Sequence, residues 1–108
     1  RVSRLVERRC ALYADAAPIW RVAMSEGLVG PGDERLAAAR DFARDELTRL
    51  FAVELDRLTP ETRETVLDAV LVAASFDVWN QLHLSLDRDD DSTRAVMRRL
   101  TGGAFAGR

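Results

Sequence analysis

The residues able to do chemistry are few and scattered. The one histidine, His83, has Asn80 three positions before it, so the Glu-x-x-His pattern with which carboxylate bundles hold metals is missing. No second His or Cys stands at zinc-ligand spacing, and the chain has no His-Glu-x-x-His, P-loop or Gly-x-Ser-x-Gly motif. GLVGPGDER, residues 27–35, is rich in glycine and leads into a helix. No strand precedes it, however, and its spacing fits no phosphate-cradling loop. Asp87, Asp89, Asp90 and Asp91 lack the glycine and closing glutamate of a calcium loop, so helix capping and solvation account for them. The single Cys10 excludes an intrachain disulfide and reads as a small apolar filler in a reducing compartment. His83, on the flank of an apolar arc, reads as an interface side chain. The expectation is a chain that is not an enzyme and holds no metal or cofactor.

Composition narrows what remains. With 108 residues, 47% hydrophobic and 31% charged, the chain is one globular domain with a single modest core. The formal net charge of -2 argues against nucleic-acid binding by this chain, because phosphate contacts require a basic surface. Arg1, Arg4 and Arg8 line one helical side, but Glu7 interrupts them. No uncharged run approaches the roughly 18 residues of a membrane helix, and residues 1–17 are too charged for a signal peptide. A soluble cytoplasmic protein without membrane contact is expected. The start at Arg1, without an initiator methionine, reads as a piece of something longer.

The elements that must position these residues are helices. Three- and four-residue apolar spacing recurs and period-two alternation does not, which predicts an all-α fold of about four main helices in an antiparallel bundle. The first runs from about Val2 to Ser25 with a stripe at Val2, Val6, Arg9, Tyr13, Ala16, Trp20 and Met24. Pro18 should kink or break it. GLVGPG ends it, and Asp33 caps a second helix striped by Leu36, Ala39, Ala43, Leu47 and Leu50 and flanked by Phe42 and Phe51. Thr59, with Pro60 and Glu61 behind it, starts a third helix that can run to Leu86. A fourth begins near Asp91, carries Val96, Met97 and Leu100, and frays at Gly102 and Gly103 into a flexible tail over about 102–108.

DAVLVAASFDVW, residues 68–79, makes the third helix apolar nearly all round. Such a helix must be buried on two sides. Isologous dimerisation through helices 60–86 and 91–102 would cover the second face, and Val70, Ala74, Val78, Val96, Met97 and Leu100 are the expected interface. The fourth helix alone covering that face is the alternative.

The succession ALYADAAPIWRVA, RLFAVELDRLTPETRETVLDAVLVAAS and WNQLHLSLDRDDDSTRAVMRRL resembles the C-terminal regulatory domain of TetR/AcrR-type bacterial transcriptional regulators. Pro18, the LF and EL pairs of residues 50–55, the capped start at Thr59 and Pro60, and Trp79 followed by a polar loop carry the likeness. The resemblance implies homodimerisation through the last two long helices and binding of a small effector. It also implies that DNA is read only by a separate N-terminal helix-turn-helix, which does not precede Arg1 here.

An apolar or aromatic effector would suit Tyr13, Trp20, Met24, Phe42 and Phe76, all of which can equally be core. Arg9 and Asp68 both fall on apolar lines. Arg9 could pair with Asp68, bind an anionic effector, or reach solvent along its stem. A ligand-free dimerisation or adaptor module is the competing reading, and it requires the aromatic residues to pack without a cavity.

Overall fold

The computed structural model describes residues 1–28 and 32–106; the middle of GLVGPG and the end of the expected tail lie outside them. The chain is 84% helical, and the described residues contain no strand. The fold is an all-α helical bundle. Its elements are α1 (Val2–Ser25), α2 (Glu34–Leu50), α3 (Ala52–Asp56), α4 (Pro60–Ala73), α5 (Phe76–Asn80) and α6 (Asp90–Ala106). A wider π-type turn over Gln81–Ser85 continues α5.

Local chemistry sets the starts. Asp33 accepts from the Arg35 amide, and Thr59 accepts from Thr62 with Pro60 in the first turn. Asp89 accepts from the Ser92 amide at 2.8 Å, opening α6. These bonds hold the Asp33 and Asp89 carboxyls below the usual carboxylate range.

The long third helix expected over 60–86 is interrupted. α4 stops at Ala73, and Ser75 lies in extended conformation and accepts from the Val78 amide to start α5. Nothing in the run AAS weakens helix propensity enough to announce this. The break comes instead from a tertiary bond, Tyr13 Oη donating to the Ala74 carbonyl at 2.6 Å. α3 was also not expected. Arg63 reaches back from α4 to the Leu55 and Leu58 carbonyls and so closes the α3 end that would otherwise be unpaired.

Two other expectations are corrected. α1 continues through Pro18 without a break. Pro18 and Ala14, whose carbonyl loses its amide partner, are both exposed, so water can serve that carbonyl. α6 does not fray at Gly102 but runs through both glycines to Ala106, because Ala104 and Phe105 beyond them pack on the core. At the other end of this connection Asp87 sits at φ 51, a left-handed turn residue after Leu86 and before α6.

The core has two lobes. Leu5, Leu47, Phe51, Leu55, Val66, Leu67, Val70 and Ala74 form one, and Val6, Cys10, Tyr13, Ala17, Trp79, Leu82 and Met97 the other. α1 and α6 reach both. The inward stripe of α6 is Thr93, Met97 and Thr101, all fully buried, and neither threonine hydroxyl has a hydrogen-bond partner among the described residues. None of the described helices is long and apolar enough to cross a membrane.

A methyl group built on Gly102 or Gly103 meets nothing within 4 Å, and neither has a positive φ. Gly102→Ala and Gly103→Ala should therefore each stabilise the domain by about 0.5–1 kcal/mol through helix propensity. Urea unfolding monitored by circular dichroism measures this; a loss of stability would mean that α6 does not extend through them.

Candidate functional site

Four rings gather where α1 crosses α5. Phe76 is the hub, with Tyr13 edge-on at 5.6 Å, Trp20 edge-on at 5.9 Å and Trp79 tilted at 5.7 Å. His83 stacks on Trp79 at 4.3 Å. The Arg21 guanidinium lies 5.8 Å from the Trp79 ring centre and donates to Asn80 at 2.8 Å. α1 supplies Tyr13 and Trp20 from one helical face, two turns apart, and the Ser75 cap starts the helix that sets Phe76 and Trp79 against them.

The six residues expected to bind an effector do not all meet. Tyr13, Trp20 and Phe76 come together. Met24 is 43% exposed near the end of α1, and Phe42 is 67% exposed on α2, so neither belongs to the cluster. Arg9 is half-buried and donates to Glu46 at 2.7 Å, while Arg8 reaches the other oxygen of the same carboxylate. The Arg9–Asp68 pair does not form. Asp68 is exposed and bonds to Arg44, which also holds Glu64. Glu46 is the missed partner. Its position three residues beyond Ala43 on the apolar stripe of α2 was a usable signal, since an acid there faces α1.

The expected dimer residues divide as well. Val70, Ala74 and Met97 are buried within the chain's own core, because the break at Ala74 turns α4 and α5 so that α6 and α1 cover them. Val78 is half-buried, and Val96 and Leu100 are exposed.

Among the open grooves of the described surface are two that no residue of the ring cluster lines. One, about 470 Å³, lies between the start of α1, Phe51, Glu54, Gly102 and Phe105, with the Arg1–Glu54 ion pair on its rim. The other, about 500 Å³, has apolar walls from Ala69, Val72, Ala73, Val78, Leu100 and Ala104, with Asp68 at its edge.

The buried Cys10 thiol and Tyr13 phenol both favour their neutral forms. Burial pushes the Cys10 thiol up, and its sulfur rests 3.7 Å from that of Met97. Burial also pushes the Tyr13 phenol up, the Arg9 guanidinium opposing it. His83 Nε2 is 3.3 Å from Asp90 Oδ1 but makes no aligned hydrogen bond among the described residues. Among the described residues no group of three or more His, Cys, Asp or Glu could hold a metal ion.

No family model, curated protein or solved structure matches the chain.

Tyr13→Phe leaves the rings in place but removes the donor from a buried carbonyl, so it should cost about 1–3 kcal/mol. The pH dependence has a definite sign. With both folded values raised, the unfolded chain loses its protons first. Stability is therefore full below the ordinary values of 9.0 for the thiol and 10.0 for the phenol and falls as pH rises through them. Urea midpoints between pH 8 and 11, on the order of the range these groups titrate in, should decline less steeply in Tyr13→Phe than in the parent chain. Equal slopes would place the phenol in solvent.

Proposed function

We propose that this chain is a homodimerising regulatory domain, similar to the C-terminal domain of TetR/AcrR-type transcriptional regulators, with α4 and α6 forming the subunit contact. The observation that carries the reading is the apolar groove between α4, α5 and α6. Val72 at its wall is 63% exposed and Leu100 is 47% exposed, and Val96 lies one turn from Leu100 on the same helix. Large apolar side chains gathered along one face mark a surface that has lost a partner. A second copy is the simplest partner for a face of two long helices, because an isologous contact buries the groove twice. In this reading the expected interface shrinks to Val78, Val96 and Leu100 and gains Val72.

The regulatory half of the proposal draws on the ring cluster. A small apolar or aromatic effector would enter at the Trp20–Phe76 edge, where Trp20 remains half-buried. It would act by favouring one packing of α1 against α5 over another, and α1 would pass that difference to a DNA-reading domain. The chain's own acidity leaves DNA contact to such a domain, in a cytoplasmic protein.

One observation favours the second reading, a ligand-free helical dimerisation or adaptor module. Tyr13, Phe76 and Trp79 fill the space between α1 and α5 with one another, and Met24 and Phe42 stand outside.

Sedimentation equilibrium should give a dimer at micromolar concentration, and Leu100→Glu and Val72→Glu should each give a monomer with unchanged helical circular dichroism. A monomeric parent chain would overturn the proposal. Native mass spectrometry separates the two readings: a co-purified small molecule on the dimer supports the effector site, and a bare dimer with tryptophan fluorescence unresponsive to planar aromatic probes supports the adaptor.

A further inference from the structure

The α4–α6 groove has edges of opposite charge. Helical spacing sets Glu61, Thr65, Asp68 and Val72 along the outer edge of α4, and Asp68 borders the groove itself. On α6 Arg99 follows Val96 by one turn, about 60° round the helix from it on the side away from the buried Met97, and is exposed. Arg99 has no ion-pair partner among the described residues. Arg98 does not share that edge. It lies about 100° further round the helix than the inward-facing Met97, toward α1.

A two-fold axis running along the α4–α6 groove brings the α4 edge of one copy against the α6 edge of the other, whereas an axis across the groove would set like edges together. An acidic edge on one helix and a basic edge on its neighbour is the arrangement such an axis makes attractive, twice over. We infer that the two copies pair with Arg99 of each set against the Glu61–Asp68 edge of the other, a proposal that rests on the homodimer reading above. The groove supplies the buried apolar area, and the charged rim fixes how the copies are oriented. Asp68 can serve both Arg44 within its chain and Arg99 across the interface, because a carboxylate has about four lone-pair positions. These groups sit at the rim, so they contribute to orientation and encounter rate and are screened by salt.

The test uses charge reversal in the full chain. Glu61 is reversed in preference to Asp68, which also bonds to Arg44. Dimer dissociation constants are measured by sedimentation equilibrium at low and high sodium chloride for the parent chain, Arg99→Glu, Glu61→Arg and the two together, with circular dichroism as the check on folding. Each reversal alone should weaken the dimer by about tenfold or more at low salt. The combined variant, which restores opposite charges across the two-fold axis, should return to within about threefold of the parent. High salt should narrow all the differences. Losses that add in the combined variant, or single reversals without effect on a dimeric parent, would overturn the rim and leave the apolar contact standing. A parent chain that is itself monomeric would overturn the homodimer reading and the rim with it. Should Glu61→Arg unfold α4, Asp68→Asn with Arg99→Gln replaces the pair, and the salt dependence of dimerisation should then disappear.

Discussion

The hydrogen bond from Tyr13 to the Ala74 carbonyl is the interaction on which the rest of this fold depends. A helix that ends inside a protein leaves carbonyls unpaired, and burying one without a partner is costly. Here α1 provides the donor from its inward stripe. Ser75 then supplies its own hydroxyl to the Val78 amide, so the chain restarts as a helix one residue later in a new direction. A phenol and a hydroxyl thus convert what the sequence writes as one long apolar helix into two elements with separate duties. α4 gives Val66, Leu67 and Val70 to one lobe of the core, and the segment after the break gives Trp79 and Leu82 to the other.

This division changes which apolar surface the chain leaves uncovered. A single straight helix over 60–86 would have exposed a whole second face. With the break, Val70, Ala73 and Ala74 turn inward beside α6, and Trp79 closes over Tyr13 and Met97. The exposed apolar remainder on α4 and α6 is Val72, Val96 and Leu100. The uncovered apolar surface has thus moved outward by one helical edge. The same turn brings Phe76 to the centre of the ring cluster.

Legibility in the sequence follows the range of the interactions. The starts of α1, α2, α4 and α6 fall within a residue or so of where the apolar periods and the Asp33 and Thr59 caps place them, because capping is decided over four residues. The break at Ala74 depends on a residue 61 positions away, and its one local trace, the Ser75 cap with Asp77 behind it, is masked by the unbroken apolar run around it. The short α3 similarly owes its closed end to Arg63. On α6 the sequence groups Val96, Met97 and Leu100 as one apolar face, but of the three only Met97 is buried. Threonine is close to valine in shape, so Thr93 and Thr101 fill the inward stripe with Met97, and the larger aliphatic groups are left outside. Of the candidate site, Tyr13, Trp20 and Phe76 were legible from helical spacing. The partners of Arg9 and Asp68 were not, since two equally spaced acids and two arginines allow more than one pairing until the crossing of α1, α2 and α4 is known.

The most direct test of this account is backbone NMR assignment of residues 60–90 with the hydroxyl exchange of Tyr13. The interrupted fold predicts helical carbon shifts up to Ala73, an extended value at Ser75, helical values again from Phe76, and a Tyr13 hydroxyl proton that exchanges slowly enough to be seen. Unbroken helical shifts from Pro60 to Leu86, with a rapidly exchanging hydroxyl, would contradict it and return the second face of that helix to solvent or to a partner.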